Sequence, residues 1–418
     1  METTIQIKKH SKFAGDKDLE KLSREELIQK IQVLQAHNLQ LQNILAKGKP
    51  TVKLEERKFH KPFDFSKCNF RHILLRILYL GWDYQGFTVQ EDTTNTIEYH
   101  LFEALIKTCL IQNRESSNYH RSGRTDKGVS SFGQVVSIKV RSRLSKGDEN
   151  NLDNEIDYCK ILNRVLPVNI QCIAWSATDQ SFSSRFDCKS RTYKYYFPKG
   201  NLDIEKMRIA CKDFVGTHDF RNFCKMDVGN GVIKFVRNVL DFRIEPFINT
   251  DSEDEYSLYV AIISGNAFLW HQIRYMMGIL FLIGGDKESF SLVKELLDVE
   301  QNPSKPEYTM ANEVPLNLFL CEYDSIHWIY KENNLKCIIE KLNRTWLFHT
   351  IKGNMVKDMI SNLNDYFPKE SPQNLSQHLL SGVKVKKYIP VLKRQRCDSL
   401  ETKIKHYSKR NRIEIIQN

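Results

Sequence analysis

The stretch Ser122-Gly123-Arg124-Thr125-Asp126-Lys127-Gly128-Val129-Ser130-Ser131 sets one carboxylate between two cations and two glycines. The apolar residues after it are typical of a strand: Val135, Val136, Ile138 and Val140. A carboxylate between Arg124 and Lys127 is expected to stay ionised, held by charge-assisted hydrogen bonds. The glycines allow a sharp turn and the close approach of a ligand. The stretch therefore predicts a carboxylate nucleophile on a turn before a strand; the simpler interpretation is a solvated charged turn.

The charge balance points to an anionic partner. The chain has 418 residues, is 41% hydrophobic, and carries a formal net charge of +11 with a pI near 9.0. This length is enough for two to three domains, and the positive charge favours a polyanion as partner. Because basic and acidic residues are mixed along most of the chain, a basic enzyme that binds no nucleic acid stays an alternative.

The cysteines argue against a metal site and for an intracellular protein. Ten cysteines are scattered with no Cys-x-x-Cys pair, so the usual zinc-ligand spacing is absent. We expect reduced thiols and no metal. The N-terminus has no apolar signal core. The most apolar window, residues 258–285, contains Asn266, His271 and Arg274, which argues against a membrane span.

A short heptad pattern lies near the N-terminus. Ser23 and Glu26 form a capping-box pattern, and Gly48 and Pro50 end the segment. Leucines occupy one seam position at 27, 34 and 41, and Asn38 falls in the other. About three heptads are short for an independent coiled coil. The segment is either a homodimer seam, with Asn38 setting the register, or an amphipathic helix packed on its own chain.

Beyond residue 70 the pattern alternates between strands and helices. It predicts strands over residues 71–80, 191–198, 233–244 and 256–263, and helices over 96–112, 153–166, 204–215 and 269–283. This indicates an α/β or α+β architecture with two subdomains. The periodicity fades beyond about residue 345, and residues 383–412 are predicted to form a basic tail.

Two further motifs carry chemically useful residues. In Arg191-Thr192-Tyr193-Lys194-Tyr195, strand alternation puts Arg191, Tyr193 and Tyr195 on one face. The motif favours either base contact or an aromatic ladder between strands. In residues 266–274, Arg274 begins an almost uncharged helix, where a cation needs an anionic partner. That partner is either a structural acid or Asp126.

Together these motifs resemble the TruA-type family of tRNA pseudouridine synthases. The resemblance spans roughly residues 71–325 and is strongest to the eukaryotic branch that acts at tRNA positions 38 and 39. It rests on the motifs 123–130, 191–195 and 265–274, supported by the stretches 79–87 and 218–223. The sequence Leu269-Trp270-His271-Gln272 and the N-terminal heptad are the features that indicate that branch. Nothing past about residue 345 is matched.

The resemblance implies both a fold and a set of site residues. The fold would be α+β, with two ferredoxin-like (RRM-like) subdomains whose antiparallel sheets join around a basic central cleft. Asp126 would be the nucleophile, Tyr193 would contact the target base and help to remove its C5 proton, and Arg274 would pair with Asp126. Arg124 would hold the displaced nucleotide, while Lys127, Arg191, His271 and Gln272 would also bind substrate. The substrate would be the tRNA anticodon stem-loop, and no cofactor is expected because uridine isomerisation needs no redox change.

The resemblance also sets domain boundaries and leaves alternatives. The expected segments are a mobile tail (1–19), the heptad helix (20–47), a linker (48–70), a catalytic subdomain (71–187), a second subdomain (188–345) and a basic extension (346–418). Nucleus and cytoplasm are the expected locations. The alternatives are a multisite synthase acting at positions such as 27 and 28, an inactive tRNA-binding protein on this scaffold, or an interaction scaffold built on the heptad.

Overall fold

The computed structural model describes residues 63–145, 147–148, 150–227, 234–247, 256–366, 375–380 and 387–411. The chain divides into two compact units, residues 65–407 and residues 1–64 with 408–418. The elements below belong to the first unit, apart from the end of the last helix. The predicted heptad helix at 20–47 lies outside the described residues.

The described part of the chain forms one large, mostly antiparallel sheet in the order β4-β1-β3-β9-β5-β8-β7-β6, with β2 also paired to β3. Its strands are β1 (Asn69–Tyr79), β2 (His120–Arg121), β3 (Ser130–Ser142), β4 (Ile170–Ala177), β5 (Ser190–Pro198), β6 (Gly216–Asp219), β7 (Val236–Pro246), β8 (Leu258–Gly265) and β9 (Leu316–Glu322). The late strand β9 lies between β3 and β5 and runs parallel to β3, with Ser131 opposite Leu318. This joins the early and late parts of the chain in one mixed α and β fold, which confirms the prediction in outline.

Seven α-helices accompany this sheet in the described residues: α1 (Ile97–Lys107), α2 (Tyr158–Asn163), α3 (Ile204–Lys212), α4 (Gln272–Gly284), α5 (Leu292–Leu297), α6 (Glu332–Asn364) and α7 (Leu400–Asn411). The helix predicted over 153–166 is shorter than expected, because Asp157 caps it by accepting the Lys160 N–H at 3.0 Å. None of the described helices combines the length and apolar content that a membrane crossing requires.

Two large apolar cores pack against the sheet. One contains Tyr193, Tyr195 and most of α4, and the other contains Leu101 of α1 and Trp175 of β4. The central strands β1 and β3 contribute to both cores, so both of their faces are covered. Because its central strands are packed on both sides, the sheet is a rigid base for side chains that project from the strands around β9.

The C-terminal region differs from the basic tail predicted for it. Helix α6 runs through residue 345, so the expected end of the second subdomain falls inside a helix. Val391 is fully buried in the larger core, and its N–H donates to Glu288 at 2.6 Å. Residues 400–411, part of the same predicted tail, are helical. Sequence periodicity missed this region because its few apolar residues pack at irregular spacing.

Candidate active site

The loop before β3 presents Asp126. The Phe87 N–H donates to the Thr125 carbonyl at 3.1 Å, and the Thr125 and Tyr79 hydroxyls are 2.7 Å apart. Gly128 adopts φ +77°, and an added Cβ would lie 2.6 Å from the Cγ of Glu313, so this position excludes a side chain. Gly123, which was expected to be equally constrained, has open space around it. The loop is therefore anchored on both sides of Asp126.

The Asp126 carboxylate is shielded but poorly paired. Its side chain is 22% exposed, and among the described residues one hydrogen bond reaches it, from the Trp270 indole Nε1 to Oδ1 at 3.1 Å. His271 Nε2 lies 3.4 Å and Arg274 Nη1 lies 4.0 Å from Oδ2. Burial raises the pKa of Asp126 to about 6, although the Arg274 charge and the Trp270 hydrogen bond oppose that rise.

The cations that act on Asp126 are not the ones its sequence neighbours suggested. Arg124 and Lys127 are exposed, and the charges that influence the Asp126 pKa are those of Arg274, Glu313 and Lys225. The expectation of a carboxylate stabilised between Arg124 and Lys127 is therefore wrong. The physical reason is that their long side chains extend into solvent, while chain folding brings other ions to the carboxylate.

Arg274 pairs most closely with an acid that the sequence did not single out. Its Nη2 lies 2.6 Å from Glu313 Oε2, and its Nε donates to the Ala311 carbonyl at 2.8 Å. Asp126, its predicted partner, is at 4.0 Å and beyond hydrogen-bond length. Arg274 thus lies between two carboxylates, and the negative charge of Glu313 contributes to the raised Asp126 pKa. Only its position just before an apolar run could have drawn attention to Glu313.

Strand β5 contributes Tyr193 and Arg191 to the candidate active site. Tyr193 is buried, and its ring meets Phe268 edge-on at 5.4 Å between centroids. Burial raises the Tyr193 pKa well above its usual value, and the Asp126 charge adds to that rise. Its hydroxyl is therefore protonated at neutral pH.

Arg191, predicted to contact substrate, makes several hydrogen bonds within the protein. Its buried guanidinium donates to the carbonyls of Ser122, Asn266 and Arg185. Because these donors are used internally, Arg191 ties the Asp126 loop to the segment after β8. It acts as a positioning residue.

The start of α4 supplies His271, Gln272 and Trp270. His271 adopts φ 63°, a strained conformation for a non-glycine residue. Burial lowers its pKa to about 3, and repulsion from Arg274, Lys225 and Lys305 adds to this, so the imidazole is neutral. Gln272 is 1% exposed and accepts the Leu269 N–H at 2.8 Å, so it shapes the helix start rather than contacting substrate as predicted. Trp270, the hydrogen-bond donor to Asp126, was not among the predicted site residues.

Arg124 and Lys127 lie at the exposed rim of the site. The Arg124 pKa is lowered by partial burial and by repulsion from Arg121 and Arg185, which shows that three guanidinium groups cluster there. Such a cluster attracts phosphates. Substrate contact by Arg124 and Lys127 therefore stays a prediction with a plausible electrostatic basis.

Comparisons with known proteins identify the family of this chain. A sequence model described as tRNA pseudouridine synthase matches residues 210–324. The bovine tRNA pseudouridine(38/39) synthase is 41% identical over 96% of this chain and 91% of its own length. The Saccharomyces cerevisiae protein of the same name is 36% identical over 93% and 91%, and tRNA pseudouridine synthase A of Methanosphaera stadtmanae is 30% identical over 67% and 94%. This chain belongs to the tRNA pseudouridine synthase family.

Proposed function

We propose that this protein is an isomerase that converts uridine to pseudouridine at positions 38 and 39 of the tRNA anticodon stem-loop, with Asp126 as nucleophile. The observation that carries the assignment is the Asp126 carboxylate, which is shielded from water, ionised at neutral pH and accepts a single hydrogen bond from the described residues. The near full-length similarity to tRNA pseudouridine(38/39) synthases supports the choice of positions.

The reaction needs what the site offers. The N1–C1′ bond of uridine breaks and a C5–C1′ bond forms, with no net redox change. The Asp126 carboxylate assists cleavage by attacking the sugar or by stabilising its positive charge. A nucleophile pKa of about 6 keeps most of Asp126 ionised at neutral pH while preserving its reactivity.

Tyr193 contributes a contact to the target base. Its raised pKa makes the hydroxyl a hydrogen-bond donor in the free protein. The predicted help in removing the C5 proton stays a prediction. We therefore assign Tyr193 to holding the base beside Asp126.

The proposal also covers the subdomains, the oligomeric state and the location of the protein. The parts of the sheet on either side of β9 correspond to two ferredoxin-like subdomains, and the target nucleotide leaves the RNA stem to reach Asp126. The heptad at 20–47 supports a homodimer, and nucleus and cytoplasm are the proposed locations. The separate C-terminal boundary needs revision because residues 379–380 and 387–397 pack on the rest of the unit 65–407.

The direct test uses purified protein and two tRNA transcripts. One carries uridines at positions 38 and 39 and the other at 27 and 28 only, and pseudouridine is mapped in both. The proposal expects modification of the first transcript alone. Modification of the second alone would indicate a multisite synthase, and no modification of either, with tRNA still bound, would indicate an inactive binding protein.

A further inference from the structure

A cleft lies beside the active site and is lined in part by Trp270, whose indole donates to Asp126. Its cavity volume is about 90 Å³, within about 380 Å³ of space that opens to solvent, and Phe235, Phe268 and Trp270 form part of its lining. Lys225 and Arg237 also line it, together with Asp227. Aromatic walls combined with cations are the usual surroundings of a nucleotide in single-stranded RNA, where bases stack and phosphates pair with charge.

Lys225 is held at the mouth of this cleft by Trp270. Its ammonium lies 4.4 Å from the Trp270 ring centroid, and its backbone N–H donates to the Trp270 carbonyl at 3.0 Å. The same indole donates to Asp126. A group bound in the cleft would therefore touch the residue that orients the nucleophile.

A second lysine nearby is buried without an acid. Lys305 is 7% exposed, and its ammonium lies 3.6 Å from the Tyr275 ring centroid and 5.5 Å from that of Tyr308. No described carboxylate forms an ion pair with it, and cation–π contacts compensate a buried charge only in part. Burial raises the pKa of Cys224, which lines the cleft, and lowers the pKa of His271, and the Lys305 charge acts to lower both. Lys305 thus adds positive charge near Cys224 of the cleft and His271 of the active site.

Arg237 completes the cationic lining. Its Nη1 donates to the carbonyls of Lys234 and Val236, while its Nε is buried without a partner among the described residues. A buried donor without an acceptor costs free energy unless a ligand or water satisfies it. Arg237 therefore adds a further cationic side chain to the lining of the cleft.

We propose that this cleft binds the nucleotide adjoining the target uridine in the RNA strand, with its base against the aromatic walls and its phosphate on Lys225 and Lys305. The inference rests on the proposed function, because a target held at Asp126 places its neighbour in the strand next to Trp270. Binding there would couple recognition of the flanking nucleotide to the orientation of Asp126.

The test uses stem-loop RNAs that each carry one neutral methylphosphonate linkage near the target. Binding and single-turnover rates are measured for the wild type, Lys305→Met and Lys225→Met. Lys160→Met is the matched control. It removes an exposed lysine from α2, a helix that packs on the other apolar core. One neutral linkage should weaken binding by the wild type about tenfold, as expected for loss of one charged hydrogen bond. The same linkage should cost either site variant less than about twofold.

The salt dependence gives a second measure. Each site variant should reduce the slope of log affinity against log salt by about one, since one phosphate contact is lost. Lys160→Met should respond to the linkages as the wild type does. If Lys305→Met fails a thermal-melting check, Lys225→Met, which replaces an exposed side chain, decides the outcome.

Two results would overturn the inference: equal sensitivity to the neutral linkage in the wild type and Lys225→Met, or no sensitive linkage near the target. Failure of the proposed function is a different result, in which the wild type makes no pseudouridine in the unmodified RNA.

Discussion

Asp126 and Glu155 are both shielded carboxylates, yet their surroundings act in opposite directions. Burial alone would raise the Glu155 pKa, but hydrogen bonds from the Ser142 hydroxyl, the Arg143 and Ile156 N–H groups and Arg71 lower it below its usual value. Asp126 receives one hydrogen bond, and its pKa rises to about 6.

The difference separates a structural acid from a reactive one. Glu155 is fully satisfied, and its lone pairs are occupied by protein donors, so it stabilises the fold and has little capacity to react. Asp126 retains unused lone pairs in a site that excludes much of the water, a costly arrangement that a substrate can relieve. We infer that incomplete hydrogen bonding, rather than burial, marks the catalytic carboxylate.

The largest effect is expected from Asp126→Asn. The amide cannot act as the nucleophile, so pseudouridine formation should fall more than about a thousandfold, roughly 4 kcal/mol in the barrier. Single-turnover assays of tRNA modification measure the loss, and circular dichroism confirms the fold. Near-normal turnover would assign the chemistry to another group.

Glu155→Gln should cost stability. An amide places a donor opposite groups that already donate, so unfolding free energy should fall by about 3 kcal/mol while the rate per folded molecule is unchanged. Urea unfolding measures it, with the exposed Glu103→Gln as control. A loss of unfolding free energy no greater than that of the control would mean that Glu155 is not a structural acid.

Glu313→Gln should have an intermediate effect on activity. Loss of its charge lowers the Asp126 pKa, because Glu313 raises it, and frees Arg274 to pair more tightly with Asp126. The rate should drop about tenfold, about 1.4 kcal/mol, and its acid limb should move to lower pH. Glu300→Gln, at an exposed site, should change neither. An acid limb that stays in place would mean that Glu313 does not act through Asp126.

The smallest effect concerns the stability of Asp126→Asn. The folded Asp126 pKa of about 6 exceeds the value of about 3.9 expected in the unfolded chain, so the wild type loses stability as pH rises from about 4 to 6. The amide variant avoids this loss. It should be more stable than the wild type by about 1 kcal/mol at pH 7.5, after allowance for partial exposure, and nearly equal near pH 4. Denaturant unfolding of both proteins at both pH values measures this. A difference in unfolding free energy that is the same at pH 4 and pH 7.5 would show that Asp126 does not titrate with a raised pKa.

The sequence predicted the regular strands and the motif residues but not their partners. Periodicity located β1, β3, β5 and α4 because their apolar residues repeat. It missed β9, a short strand whose place between β3 and β5 depends on the whole sheet. Glu313 was missed with it, because its approach to Arg274 follows from that placement. The motifs named Arg191 and Gln272 as substrate-binding residues, but only hydrogen-bond geometry showed the contacts that both make within the protein.

The most direct test of the central claim is the single-turnover rate of the wild type as a function of pH from 5 to 8. With an essential ionised Asp126 of pKa about 6, the rate should be nearly constant above pH 7 and fall toward tenfold per unit below pH 6. The chemical step must be limiting, which equal rates at two saturating protein concentrations establish. A rate that stays constant down to pH 5 would contradict an essential Asp126 carboxylate whose pKa is raised by burial and which accepts one hydrogen bond from the described residues.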